Sequence, residues 1–279
     1  MSDAAYYVPV PRPAGPTGPA DDIEIAVFRP TDRTVSTWGP HLQHGAPPSA
    51  LLARAIERHR PRPDTRLTRL TVDLLGPVPL TDLEVRTRIE RPGRRIELVV
   101  AELWATAPDG THRPVARGTG WRLETVDLPA VARTSETPLP ALGSFEPHAP
   151  HASWQGGYID TVDWRIIVPF GTPGLSSAWV RGEIALVEGE TPSGLDRLMS
   201  VADVANGVGS KLDPREFTFL NTDLTVHLFR APEFREQDWV GIAAETSVGP
   251  DGVGMTAGLL YDETGALGRI TQNVQVRPR

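Results

Sequence analysis

At 279 residues, 39% hydrophobic and 23% charged, the chain has the composition of an ordinary soluble globular protein with enough length for one large core or two modest ones. A formal charge of −7, with Lys211 the sole lysine, excludes the basic face of a general nucleic-acid binder. The lack of cysteine excludes disulfides, thiolate nucleophiles and cysteine-ligated metals.

Residues 1–20 carry Pro, Gly and Ala without a period and are expected to form a surface or disordered tail. They lack the order of a signal peptide, and no apolar run in the chain approaches the roughly 20 residues of a membrane span. The expected location is the cytoplasm. Residues 23–29 alternate as a strand does, and 34–38 are a second candidate strand. The segment His41-Leu42-Gln43-His44-Gly45 then leads into a helix over 47–59, stopped by Pro61 and Pro63. Period two follows, with Leu70, Val72 and Leu74 alternating, then strands over 81–90, 95–106 and 114–123. Turns at Pro92-Gly93 and Pro108-Asp109-Gly110 separate them. Residues 125–152 hold several prolines and no sustained period, as an interdomain linker does.

The second half replays this order. Residues 158–168 and 177–181 read as strands, 192–206 as a helix, and 220–229, 239–247, 253–261 and 267–276 as a meander. Gly45-Ala-Pro-Pro48-Ser49-Ala-Leu51 recurs as Gly189-Glu-Thr-Pro192-Ser193-Gly-Leu195, and Leu70-Thr71-Val72-Asp73-Leu74 as Leu224-Thr225-Val226-His227-Leu228. A duplicated domain is the direct reading, with halves over 21–124 and 153–279. The second helix carries an apolar stripe of Leu195, Leu198, Met199 and Ala202, with Asn206 inside it and Asp203 on its edge. Buried polar side chains need partners, which makes this helix the expected seat of function.

The doubled helix-then-meander order resembles the double hotdog acyl-CoA thioesterases of the thioesterase II type. The local matches are His41-Leu-Gln-His-Gly-Ala-Pro-Pro-Ser-Ala-Leu-Leu, Ala202-Asp203, Asn221-Thr-Asp223-Leu-Thr-Val-His-Leu-Phe-Arg230 and Thr271-Gln272. The resemblance implies an α+β tandem hotdog, each half a long central helix wrapped by a curved antiparallel sheet. It also implies hydrolysis of acyl-CoA, or of a similar acyl thioester, without metal or cofactor, in a homo-oligomer such as a dimer of double hotdogs.

In that family a helix aspartate, a strand threonine or serine and a last-strand glutamine hold the attacking water. Asp203 and Gln272 match the first and third positions; the second, two residues before Asp223, is Asn221. An amide both donates and accepts, so it can serve a water. Asp203 is read as the base, against the plainer reading of a cap or an arginine partner. His44 and Gly45 are oxyanion or substrate-binding candidates, because free N–H groups at a helix start suit an anion, against an ordinary helix-entry loop. Asn206 is expected to bond the loop after its helix. His59 is expected on the surface and Arg91, Arg94 and Arg95 on a solvated turn, with a role at CoA phosphates as the other reading.

Simple alternation sets Asn221 with Asp223, Thr225 and His227 on the face away from the helix, so a site there requires cover from elsewhere or a bulge. Two other functions remain in view. One is a non-catalytic acyl-thioester binder, to which the asparagine points. The other is an enoyl-thioester hydratase, which wants a histidine beside the aspartate; none aligns with Asp203 in the second half.

Overall fold

The structure, a computed structural model, describes residues 5–11, 22–107, 109–148, 156–234 and 238–279. The first half contains β1 (Ala5–Val10), β2 (Glu24–Pro30), β3 (Val35–Ser36), β4 (Gly39–Gln43), α1 (Ala46–Arg58), β5 (Thr65–Leu74), β6 (Leu83–Arg91), β7 (Ile96–Thr106) and β8 (His112–Glu124). The second contains β9 (Val162–Val168), β10 (Ser176–Gly182), β11 (Ala185–Val187), α2 (Gly194–Ala202), α3 (Ala205–Gly209), β12 (Phe217–Asn221), β13 (Asp223–Leu228), β14 (Val240–Val248), β15 (Val253–Asp262) and β16 (Gly265–Pro278).

One long sheet runs β11-β1-β2-β6-β7-β8-β5-β13-β16-β15-β14-β10-β9, with β12 also on β16. The run β2-β6-β7-β8-β5 is answered across the β5–β13 seam by β10-β14-β15-β16-β13. At that seam Leu70 faces Val226, Thr71 faces Thr225 and Val72 faces Leu224. These are the residues of the repeated pentapeptide, and an antiparallel ladder centred on the matched pair Thr71 and Thr225 has local two-fold symmetry. Their hydroxyl oxygens lie 3.1 Å apart. Joining two edges here also removes two exposed strand edges. The chain is a double hotdog: α1 and α2 lie together against the sheet, and Leu51, Leu52, Ile56, Leu195, Leu198 and Met199 share one core.

Four expectations need correction. Part of the supposed tail is β1, paired with β2 and, in parallel, with β11. Tyr6 and Tyr7 are fully buried there, because an aromatic pair within a short strand-forming run outweighs the Pro- and Gly-rich surroundings. The helix expected over 192–206 is broken between Ala202 and Ala205. The strand expected over 220–229 is split at Thr222. Residues 159–161 form a 3-10 turn, and the strand starts only at Val162.

The linker is fixed to the sheet's outer face in its described part. Leu139 and Leu142 pack with Trp179, Trp239 and Tyr261, and the Trp179 indole donates to the Pro140 carbonyl at 2.9 Å. Residues 1–4 and 12–20 of the expected tail, Pro108 of the expected turn and 149–152 of the expected linker lie outside the described residues. Among the described residues no helix is long and apolar enough to cross a membrane.

Candidate active site

Ser193 starts α2 with a capping box, its hydroxyl accepting from the Asp196 N–H while the Asp196 carboxylate accepts from the Ser193 N–H. Nine residues later α2 stops and Asp203 sits on the break. Val204 turns back in 3-10 fashion onto the Val201 carbonyl at 3.1 Å. A helix end leaves carbonyls without intrahelical donors, and Gln272 fills that need, its Nε2 donating to the Asp203 carbonyl at 3.1 Å. The same Nε2 reaches Asp203 Oδ1 at 3.1 Å, and Asn221 Nδ2 donates to Oδ1 at 2.7 Å. Asp203 is 4% exposed, so these amide donors replace much of the water its carboxylate gives up.

Asn221 arrives on this face through a one-residue slip. Asn221 pairs with Val274 on β16, but Thr225 pairs with Thr271, so the strand gains a residue between them. Such a bulge exchanges the two faces of a strand. Phe219 and Asn221 therefore point toward the helices, as do Leu224, Val226 and Leu228 beyond the slip, whereas Asp223, Thr225 and His227 point away. Simple alternation was wrong for Asn221 for this reason alone. Asp223 secures the slip by accepting from the Asn273 N–H at 2.8 Å, while the Thr222 N–H bonds the Asn273 carbonyl at 3.1 Å.

The other wall comes from the first half. Gly45 has φ −64°, so no left-handed backbone demands glycine. Space does: a Cβ there would stand 2.7 Å from Asp203 Oδ2. The several free N–H groups expected at the start of α1 reduce to one. Pro47 and Pro48 have none, and that of Ala46 is donated to His44 Nδ1 at 3.1 Å. Among the described residues the Gly45 N–H has no partner.

His44 Nδ1 lies 3.5 Å from Asp203 Oδ2. Burial pushes its imidazole below the ordinary 6.5, against the upward pull of Asp203. With Nδ1 accepting from Ala46, the neutral ring carries its proton on Nε2. The ring stacks on Tyr158 at 4.2 Å between centroids and 22° between planes. Burial drives the Tyr158 phenol well above its ordinary range, and its hydroxyl donates to the Ser200 carbonyl at 2.7 Å. The first strand braces both groups. Tyr7 donates to Gln43 Oε1, next to His44, at 2.7 Å, and the Tyr6 hydroxyl meets Thr161 Oγ1, also at 2.7 Å. Thr161 in turn donates to the Tyr158 carbonyl at 2.6 Å.

Asp203, Asn221, Gln272, His44 and Gly45 are thus brought together from both halves. A histidine does stand beside Asp203: comparing aligned positions within one half misses it because the contact crosses between halves. Asn206 bonds the Phe219 carbonyl on β12 at 3.1 Å rather than the loop after its helix. His41 is exposed. His59 is buried, not on the surface, with Nδ1 2.9 Å from Glu24 Oε2. Arg91 bonds the Ile96 carbonyl across its own hairpin and Arg94 pairs with Glu124 at 3.5 Å. Among the described residues no cluster suited to a metal ion exists. At the opposite ends of the helices the space is filled. Ile56 and Leu67 approach Gly120, the position that matches Gln272, so closely that a Cβ would stand 2.6 Å from each. Nearby, Ser193 donates to Glu57 at 2.7 Å, and Arg54 and Arg58 clasp Glu190.

The cluster thus offers a carboxylate oxygen, Oδ2, whose partner oxygen is engaged by amides, packed against Gly45 at a helix start. Those are the parts that water activation and oxyanion binding require. Comparison with known proteins gives the family. Residues 34–123 match the acyl-CoA thioesterase N-terminal domain, and 140–276 match the acyl-CoA thioesterase C-terminal domain. No curated protein sequence matches the chain. Among solved structures, a hot dog fold protein from Alicyclobacillus acidocaldarius superposes with TM-score 0.71 at 15% identity, covering 91% of this chain and 93% of the other. A structure assigned to thioesterase II from Thermobifida fusca gives 0.69 at 18%, covering 98% and 96%. The acyl-CoA thioesterase II TesB2 of Mycobacterium marinum gives 0.60 at 14%, covering 91% and 92%. At these identities the superpositions speak for the fold, and the two domain matches, which together span most of the sequence, place the chain in the acyl-CoA thioesterase family as a thioester hydrolase.

Proposed function

We propose that the chain hydrolyses acyl-CoA, or a similar acyl thioester, with a water activated by Asp203 and positioned with the help of Asn221 and Gln272. The observation that carries this is the asymmetric use of the carboxylate. Both amides donate to Oδ1, so Oδ2 is left to take a proton from water. Water adds to the thioester carbonyl carbon, its proton passes to Oδ2, and the carbonyl oxygen gains negative charge. The Gly45 N–H, at the positive end of α1, and His44 Nε2–H are the donors for that oxygen. Collapse of the tetrahedral adduct breaks the C–S bond, and the thiol leaves with the proton that Asp203 holds.

Asn221 fits this scheme without a hydroxyl. Its NH2 end fixes Asp203 and its carbonyl end is left for the water. The two repeats, 21–124 and 153–279, each supply one wall. Exposed Leu220, Val253 and Met255, neighbours across β12, β16 and β15, support association of the outer faces in a homo-oligomer. Light scattering on the eluted protein tests that. A cytoplasmic location completes the reading.

A thiol-release screen over acyl-CoA chain lengths tests the activity, and release at background for every chain length rejects it. The contact of His44 with Asp203 favours a second reading, hydration of a 2-enoyl thioester, in which the pair exchanges protons with substrate. Loss of the enoyl absorbance without thiol release is its signature.

A further inference from the structure

We infer that the thioester lies across Asp203 in one direction, with an apolar acyl chain of medium to long length behind Trp164 and the amide-bearing thiol arm beside Gly76 and Val78. This assignment rests on the hydrolase reading. A small space of about 50 Å3 borders Asp203, Asn221 and His44. On one side it shares Trp164 and Gly207 with a cavity of about 550 Å3 that opens to solvent. Ile166, Phe170, Leu212 and Pro214 wall that cavity, Trp164 stands edge-on to Phe170 at 5.8 Å, and Gly207 places no side chain at the threshold. Among the described lining residues none is a carboxylate, lysine or arginine. His148 and Ser210 are its polar side chains beside the Trp164 indole, and the rest of the wall stabilises hydrocarbon, at about threefold to fourfold in affinity per buried methylene. At roughly 30 Å3 per methylene-sized group, the volume water takes in the liquid, the space holds up to about eighteen carbons.

The other side differs in chemistry. Trp38, His44, Asp203 and Asn221 also border a cavity of about 290 Å3 that contains Ser36, Gln43, Thr222 and Gln275. Leu42, Leu74 and Val78 share that wall, but its hydroxyls and amides outnumber those of the larger cavity and suit the secondary amides of a thiol carrier arm. The carbon under attack falls in the small space between the two cavities, next to Gly45.

The test compares thiol release from butanoyl-, octanoyl- and dodecanoyl-CoA. The wild-type chain is expected to show kcat/KM rising at least tenfold from four to twelve carbons. Leu212→Trp and, independently, Ile166→Trp fill the cavity and should lower the dodecanoyl-to-butanoyl ratio by tenfold or more. Phe170→Ala enlarges it and should move the optimum to longer chains. Leu142→Trp, in the separate cavity of about 410 Å3 beneath the linker, should not move the ratio. Melting temperatures identify the variants that fold. A ratio unmoved in a folded Leu212→Trp or Ile166→Trp protein, or a wild-type preference for the shortest chain, overturns the assignment while leaving the hydrolase intact. Background release from all three thioesters overturns the hydrolase itself.

Discussion

A β-carbon on Gly45 would stand 2.7 Å from Asp203 Oδ2, so the start of one repeat's helix and the carboxylate of the other are in contact with no room between them. Gly45 is the cap residue before α1, where glycine is favoured over alanine, so helix propensity offers the substitution nothing. Sterics oppose it. Gly45→Ala is expected to displace the carboxylate and lower turnover by about tenfold to a hundredfold. Thiol release is the readout, and a fully active Gly45→Ala protein would remove this contact from the mechanism.

Replacing Asp203 by Ala takes one acceptor from each of two amides, Asn221 Nδ2 and Gln272 Nε2, which keep the Asp223 and residue-203 carbonyls, at about 1 kcal/mol for each bond lost. Asp203→Asn is the cleaner probe because it keeps an acceptor at Oδ1. Turnover should fall by about two orders of magnitude or more, the usual loss when a general base is removed. Activity within a few-fold of wild type would acquit Asp203.

Asn221→Asp places a second carboxylate against Asp203 Oδ1, where Nδ2 now donates at 2.7 Å. Like charges at this distance raise one pKa strongly. The acid limb of the pH–rate profile should move upward and activity at neutral pH should drop. Asn221→Thr restores a small donor and should retain more turnover than Asn221→Ala. An acid limb that stays in place in Asn221→Asp argues against the contact in solution.

Much of the fold was legible because duplication leaves long-range marks: Pro48-Ser49 against Pro192-Ser193, and Leu70–Leu74 against Leu224–Leu228. Asp203 was legible as a polar residue at the edge of an apolar helix face, and Gln272 only through the family resemblance. The strand phase showed only that Asn221 needs a bulge or cover from elsewhere. The place of the slip, Thr222, was not legible, since one inserted residue changes facing without changing composition. Nor was the break after Ala202, which depends on a Gln272 amide far along the chain. Tyr6 and Tyr7 were lost in a Pro- and Gly-rich stretch whose average composition hides two fully buried rings.

The first strand should therefore matter to catalysis. Tyr7→Phe removes the donor to Gln43 and leaves a buried amide oxygen unpaired, at about 1–3 kcal/mol. A lower urea midpoint with an unchanged m-value is expected, together with weaker turnover from a loosened His44 loop. Wild-type stability in Tyr7→Phe would mean that the strand does not brace the site.

His44 gives the stability curve a definite sign. Its imidazole is held below the ordinary 6.5, first by burial, so between the folded value and 6.5 the unfolded chain binds a proton that the folded chain refuses. The stability from this residue is whole above pH 6.5 and is lost as pH falls through that window. His44→Asn keeps an acceptor for the Ala46 N–H and removes the titration. Between pH 8 and pH 5 the wild-type melting temperature should fall further than that of His44→Asn, and equal slopes would contradict it.

The seam at Thr71 and Thr225 has a consequence for assembly. Gly45 and His44 come from one repeat and Asp203, Asn221 and Gln272 from the other, so the proposed reacting centre belongs to neither. Two chains that exchanged halves across β5 and β13 would rebuild the same ladder and the same centre in each lobe. On the proposed site, domain swapping here would be catalytically silent, governed by how far the segment between the repeats can reach. The same logic frees the far end of the helices from chemistry. There Glu57, Ser193, Arg54 and Glu190 are left to act as a clasp that holds the repeats in register while the other end turns over.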